Sequence, residues 1–325
     1  MRIVFLGTPE PAVPSLDAVL DAGHDVPLVV TRPDRPVGRS RTPMPPPVKR
    51  TAIARGIEVL QPTRVRDDAF RRALADRRPD VLVVVAYGRI LPAHVLDAPP
   101  RGAVNVHFSL LPRYRGAAPV QWALARGEHV TGVTTMQVDP ALDAGAILLQ
   151  REVPIEAHEH APALQSRLAA AGAELLVATL DGMRRGTIEP LAQDGSLVTN
   201  APMIASSDGD LDAAWTASEV EGRVRGFDPW PGVWMRVRGR RIRITDARRD
   251  GQPARAPQGT LVVTGEDVFL ECAAGTRLRL RTLQPEGRRA MDAAAAVRGR
   301  YLVPGDRVSC GESHAGTVAA DPGSE

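Results

Sequence analysis

Asn105 and His107, separated by a single valine, and Asp143 in Leu142-Asp143-Ala144-Gly145 supply a carboxamide, an imidazole and a carboxylate. A carboxamide and a protonated imidazole can donate hydrogen bonds to a developing oxyanion. A carboxylate beside the imidazole can orient it and help move a proton. Residues 102–107 alternate, so a short strand there would sink Val104 and Val106 into a core and present Asn105 and His107 together on its other side. Asp143 must be brought to them by the fold. A lone strand-end histidine is more often a buried, hydrogen-bonded one. Here the asparagine before it and Ser109-Leu110-Leu111-Pro112 just after it favour chemistry.

The elements that would position these groups are legible from apolar pattern. Ile3–Gly7, Val26–Thr31 and Val81–Ala86 are short apolar runs of the kind buried in parallel sheets, and helical patterns lie between them at Ala12–Asp21, Val48–Arg55 and Phe70–Ala75. Alternation of this kind predicts an α/β unit: an N-terminal, Rossmann-like, doubly wound parallel sheet. The first turn, Gly7-Thr8-Pro9-Glu10-Pro11, lacks the glycine pattern of a dinucleotide site, so the topology carries no implication of NAD. A long helix is expected over 161–182. Gly186–Ser207 has little periodicity and reads as a linker. From about 208 a helical segment near Ser218–Gly226 precedes five short strands: Val233–Val237, Arg241–Ala247, Gly259–Thr264, Val268–Cys272 and Arg277–Leu283. These predict a C-terminal OB-like β-barrel. The expected divisions are a catalytic domain over 1–188, a linker over 189–207, the barrel over 208–311 and a disordered tail over 312–325.

Composition narrows the class. A chain of 325 residues, 43% hydrophobic and 24% charged, has the balance of a soluble globular protein. No apolar run approaches the roughly 20 residues of a membrane span, and the N-terminus reads directly as a first strand. Only Cys272 and Cys310 are present, without metal-ligand spacing, so a cytoplasmic protein with no metal and no disulfide is expected. Lys49 is the sole lysine among 41 basic residues, a bias that GC-rich coding explains. Arginine position, rather than arginine count, is then informative.

Two stretches use arginine in notable places. Thr31–Arg41 follows the second strand, carries Arg32, Arg35, Arg39 and Arg41, and runs into Pro43-Met44-Pro45-Pro46-Pro47. It is longer than a typical connection of about 2–6 residues, and a basic loop beside the carboxyl ends of parallel strands is placed to touch a ligand. In the barrel, Arg241-Ile242-Arg243-Ile244 and Arg277-Leu278-Arg279-Leu280-Arg281 alternate, which puts the aliphatic residues inside and the arginines on the outer wall. A merely solvated face would look the same.

Taken together, these motifs resemble the methionyl-tRNA formyltransferase family. The residues that carry the resemblance are Gly7-Thr8-Pro9, Arg32–Arg39, Val84-Val85-Ala86-Tyr87-Gly88, Asn105–Pro112 with Arg115-Gly116-Ala117-Ala118-Pro119, Leu142–Gly145 and Phe227-Asp228-Pro229-Trp230-Pro231. They run from residue 1 to about 308. The Asn, His, Ser-Leu-Leu-Pro and Asp motifs are common to folate-dependent formyltransferases; the arginine loop and the Phe227–Pro231 segment point to the tRNA enzymes. The resemblance implies 10-formyltetrahydrofolate as co-substrate, bound along Ser109, Leu110, Leu111 and Pro112 and near Val85, Ala86, Tyr87 and Gly88. It implies Asn105, His107 and Asp143 as the catalytic residues. It also implies initiator methionyl-tRNA as partner, contacted by Arg35, Arg39 and Arg41 of the loop and by Arg241, Arg243 and Arg279 of the barrel, with the protein a monomer.

The chain departs from that family pattern at Phe108, where a small residue is expected, at Met203, where a lysine is expected, and at Trp215, which follows Ala213-Ala214. Two other readings stand beside it. A formyltransferase acting on a small amine would share the N-terminal half but has no need of so many placed arginines. A non-catalytic RNA-binding protein on the same scaffold would not need to keep Asn105, His107 and Asp143.

Overall fold

The computed structural model describes residues 1–36 and 42–309. Arg39, Arg41 and the expected tail over 312–325 lie outside the described residues. The chain divides into two compact units, Met1–Ala123 with Glu128–Met203, and Leu124–Gly127 with Ile204 onward.

The first unit is built on strands β1 (Arg2–Gly7), β2 (Asp25–Val30), β3 (Arg35–Pro36), β4 (Pro43–Met44), β5 (Glu58–Leu60), β6 (Val81–Val85), β7 (Ala103–His107), β8 (Val130–Gln137) and β9 (Ile147–Pro154). Its helices are α1 (Val13–Asp21), α2 (Pro47–Ala54), α3 (Asp68–Ala75), α4 (Ala93–Leu96), α5 (Pro119–Ala125, whose last turn falls in the second unit) and α6 (Ala161–Arg185). The main sheet runs β5-β2-β1-β6-β7-β8-β9. From β5 to β7 every pairing is parallel, and β8 and β9 then add antiparallel to β7. The expected parallel sheet is present from β5 to β7, and two antiparallel strands extend it beyond β7. The parallel strands β1 and β6 are almost wholly buried aliphatic residues, as strands covered on both faces must be. Thr8, just past β1, accepts from the Arg32 amide and donates to the Tyr87 carbonyl, tying together the carboxyl ends of β1, β2 and β6.

Helix α6 closes one face of this sheet. Leu164, Leu168, Leu175, Leu176 and Leu180 are buried along one stripe. Gly186 ends the helix at φ +68°, a left-handed cap that glycine takes without strain. At Gly172 the helix comes so near β7 that an added Cβ would stand 2.9 Å from Val106 Cγ1. Val106 therefore faces the helix.

The segment read as a linker is bound to the first unit as far as Met203. Leu191 bridges Ile147, and Asn200 bridges Arg115.

The second unit holds helix α7 (Ala217–Gly226), strands β10 (Val233–Val237), β11 (Arg240–Asp250), β12 (Leu261–Thr264), β13 (Asp267–Glu271), β14 (Arg277–Pro285) and β15 (Met291–Asp292), helix α8 (Ala293–Arg298) and strand β16 (Val308–Ser309). Its antiparallel sheet runs β12-β13-β14-β11-β10-β16, and β15 pairs with β14. The sheet curls, and an isolated bridge between Thr260 and Arg307 links its two ends. Ile242, Ile244, Leu278 and Leu280 are inside, as alternation requires. Arg277 does not follow the arginines to the outer wall. It is 1% exposed, opposite Glu271 on one side and Asp250 on the other, with its guanidinium 3.8 Å from the Phe269 ring centroid. Two acidic neighbours let this arginine be buried at the start of β14.

Candidate active site

Asn105, His107 and Asp143 meet at one cavity of about 580 Å³ in the first unit. Its wall is largely apolar, with Val84, Leu91, Phe108, Met136 and Val138 among the lining, and it also takes in Ala86, Tyr87 and Gly88. The two residues from β7 alternate with the buried Val104 and Val106, and Val106 packs toward Gly172 of α6 while also bordering the cavity. Among the described residues none hydrogen-bonds the Asn105 carboxamide, which leaves both its donors to whatever enters.

His107 is held from one end. Its ring is 6% exposed, and Nε2 lies 2.9 Å from the carbonyl oxygen of Tyr114. A carbonyl only accepts, so Nε2 carries a proton in either charge state. The second nitrogen, Nδ1, faces Asp143 Oδ2 at 3.8 Å. That gap is too long for a hydrogen bond but close enough for strong attraction once Nδ1 is protonated. Nδ1 is thus the nitrogen free to exchange a proton.

Asp143 sits on the connection between β8 and β9, which folds back over the site. Its backbone adopts φ +48°, a left-handed conformation uncommon outside glycine, though aspartate takes it more readily than most residues. The Gly116 amide donates to Oδ2 at 2.8 Å. Both carboxamide hydrogens of Gln193 go to this loop, at 2.8 Å to the Asp143 carbonyl and 2.8 Å to the Gly145 carbonyl. Gly145 is required at its position, since a Cβ there would fall 1.8 Å from the Gln137 carbonyl oxygen.

The segment expected to form the folate wall lies behind it. Ser109 is fully buried and donates to the Arg113 carbonyl, Leu111 packs with Met136 and Ile147, and neither Leu110 nor Pro112 lines the cavity. Thr134 donates to the Ser109 carbonyl and accepts from the Leu111 amide, while Gln150 donates to the Leu111 carbonyl. These bonds pin the segment's backbone from beneath. Val85 is likewise buried under the wall, and Tyr87 reaches down from it into the core of the sheet, where burial raises its phenol above the ordinary range. Phe108 packs at the floor beside Gly172, and Met203 stands exposed at the rim.

Of the arginines expected to touch a polyanion, Arg35 is exposed on β3, which pairs antiparallel with β4. In the second unit, Arg241 pairs with Asp210 and lies over the Trp234 ring, Arg243 pairs with Asp228, and Arg279 pairs with Asp267. Arg243 is also packed against Gly232 and bonded to the Pro229 carbonyl, which makes it a brace of its own unit. Arg236, directly opposite Arg241 in the β10–β11 pairing, is exposed and was not singled out by sequence. Like charges placed directly across a sheet are unfavourable, and Asp210 offsets this pair from the Arg241 side.

Residues 1–180 match the formyl transferase family, and residues 203–301 match the formyl transferase C-terminal domain. The chain belongs to the formyl transferase family and is an enzyme of the transferase class. Its similar relatives carry a narrower name. It is 46% identical over 309 residues to the methionyl-tRNA formyltransferase of Acidobacterium capsulatum, covering 95% of this chain and 99% of that protein. To the methionyl-tRNA formyltransferase of Lachnospira eligens it is 43% identical over 310 residues, covering 94% of this chain and 98% of that one. Among solved structures, an N-formyltransferase from Helicobacter canadensis, in complex with folinic acid and dTDP-3-aminofucose, superposes with a TM-score of 0.66. It is 17% identical and covers 88% of this chain and 99% of that one, a likeness of fold alone.

Proposed function

We propose that this enzyme transfers the formyl group of 10-formyltetrahydrofolate to the α-amino group of methionyl-initiator-tRNA. The observation that carries the chemistry is the convergence of Asn105, His107 and Asp143 on one largely apolar cavity. The acceptor is supported by the name shared by relatives at 43–46% identity over nearly the whole chain.

The pterin lies in the apolar part of the cavity against Ala86, Tyr87 and Gly88, with Val85 and Ser109, Leu110, Leu111 and Pro112 shaping that wall from behind. The neutral α-amine attacks the formyl carbon, and the new C–N bond places negative charge on the formyl oxygen. The Asn105 amide and protonated His107 Nδ1 donate to that oxygen, beside a largely apolar wall that strengthens both bonds. Asp143, 3.8 Å from Nδ1, balances the imidazolium and relays the proton lost by the amine. Collapse breaks the bond to N10 of the folate, which takes up that proton. An amine nucleophile needs no covalent enzyme intermediate, and no metal enters these steps.

The tRNA is held through its phosphates by Arg35, Arg39 and Arg41 of the loop. Arg241 and Arg279 on the curled, OB-like sheet add affinity rather than base choice, while Arg243 serves as a brace. The enzyme acts in the cytoplasm as a monomer. The test is formylation of charged initiator and elongator tRNA with 10-formyltetrahydrofolate. Transfer to the initiator, with affinity falling steeply as salt rises, is expected. Salt-insensitive transfer to a free amino sugar, with none to tRNA, would replace the acceptor; no transfer to any amine would overturn the chemistry.

A further inference from the structure

Gln193 belongs to the stretch between the two family matches, which end at 180 and resume at 203. Its carboxamide is fully used. Nε2 donates to the carbonyls of Asp143 and Gly145, and Oε1 accepts from Arg115 Nε at 3.1 Å and from Nη2 at 2.7 Å. Arg115 is itself fixed, since its amide donates to the Thr199 carbonyl and its carbonyl accepts from the Ala201 amide. The residue after Arg115 is Gly116, whose amide holds the Asp143 carboxylate.

We infer that Gln193 is a positioning residue for the reaction, and that it acts by fixing the left-handed backbone of Asp143 so that the carboxylate faces His107 Nδ1. This rests on Asp143 serving as the proton relay proposed above. The argument is one of geometry. An aspartate tolerates φ +48° without preferring it to the extended and right-handed regions, and directed bonds to its own carbonyl and that of Gly145 bias the loop toward that conformation. Two such bonds come from one side chain, and that side chain is anchored to the segment that also supplies the carboxylate's own hydrogen-bond donor. Asp143 is thus clamped at its backbone and at its carboxylate from a common base.

The chemistry of the amide gives a discriminating variant. Gln193→Glu keeps the size of the side chain and the acceptor for Arg115, yet it offers no hydrogen to the two carbonyls and sets a carboxylate oxygen against them. If Gln193 only packs or anchors the segment through Arg115, Gln193→Glu rescues Gln193→Ala. If it positions Asp143, both variants fail alike.

The experiment combines amide hydrogen exchange with kinetics on the full chain. In Gln193→Ala and Gln193→Glu, exchange over 139–146 is expected to quicken while exchange over 103–107 stays as it was. The turnover number is expected to fall by about 10- to 100-fold, the cost of misplacing a reacting group by an ångström or so, with KM for both substrates within twofold. In an Asp143→Ala background, adding Gln193→Ala is expected to lower turnover by no more than about twofold, because the group it positions is already gone. Unchanged exchange over 139–146, activity rescued by glutamate, or a full additive loss in the Asp143→Ala background would each overturn the inference. Faster exchange over 139–146 with undiminished turnover would overturn it too, leaving Gln193 a clamp on the loop that the reaction does not need, whereas full turnover in Asp143→Ala alone would remove Asp143 from the reaction.

Discussion

His107 and Asp143 reach the same cavity by opposite means. His107 is the last residue of β7, paired on one side to Thr134 of β8, and its ring is fixed by a carbonyl of its own neighbourhood. Asp143 stands on a connection, in the left-handed backbone region, and is held there by side-chain and amide donors from residues far away in sequence. The strand half of the site is fixed by a cooperative ladder, which no single side chain can undo. The loop half depends on a few bonds. Damage to the strand half should therefore appear as lost chemistry, and damage to the loop half as lost position.

The largest effect is expected on the strand half. Asn105→Ala removes a donor to the oxyanion without touching the ladder of β7, so kcat should fall about 10²- to 10³-fold with little change in either KM. Steady-state kinetics with both substrates, beside a thermal melt to confirm folding, checks this. A rise in KM for the folate that accounts for the whole loss would make Asn105 a binding group and dissolve the contrast.

The loop half is probed by adding one methyl group. Gly145→Ala would put Cβ 1.8 Å from a backbone oxygen, so the connection itself must move. A fall in kcat of about 10- to 100-fold is expected, with faster amide exchange over 139–146. The matched change beneath the strand is gentler. Gly172→Ala meets Val106 Cγ1 at 2.9 Å and Val133 Cγ1 at 3.3 Å, methyl groups of side chains that can yield. Overpacking of this kind costs about 1–3 kcal/mol of stability and should leave kcat within a few-fold. Equal losses of kcat in the two variants would show that the strand is no stiffer than the loop.

The same contrast explains what could be read from sequence. The buried strands β1, β2 and β6 are nearly pure aliphatic runs, and the period-two pattern around Asn105 and His107 gave their shared orientation directly. Strand β8 (Val-Thr-Gly-Val-Thr-Thr-Met-Gln) was missed because its buried positions include Thr131, Thr134 and Thr135, and buried threonines look polar until their partners are known. Thr134 bonds the backbone at Ser109 and Leu111, and Thr135 bonds Thr179 of α6. Those same bonds put Ser109–Pro112 behind the cavity wall rather than on it, a matter of depth that a motif does not report. Gln193 carried no signal, for a glutamine in an aperiodic stretch looks the same whether solvated or fully bonded. The curled sheet of the second unit was legible in its alternation. Burial of Arg277 was not, because it depends on Glu271 and Asp250 arriving from neighbouring strands.

The smallest effect is expected at the base of the arginine loop, which is held in the manner of Asp143. Lys49 Nζ bonds both Asp34 oxygens, at 2.9 and 2.8 Å, and Gln61 Oε1 at 2.8 Å, while Gln61 Nε2 bonds the Arg32 carbonyl. The chain's one lysine supplies three hydrogens from a single point, a geometry the planar guanidinium does not reproduce. Hydrogen bonds from Lys49 first, and then from Gln61, hold the Asp34 carboxyl below its ordinary range. Because the folded value is depressed, the stabilisation is complete above the unfolded value, about 3.9 for aspartate, and is lost as pH falls through the folded value. The clamp is then at full strength at neutral pH. In Lys49→Met the Asp34 titration, followed by carboxyl carbon NMR, should move upward toward the ordinary value. KM for the tRNA should rise a few-fold, with kcat and KM for the folate unchanged. An unmoved titration would remove Lys49 from the clamp. A change in the folate KM would show that this loop and the Asp143 loop are not held independently.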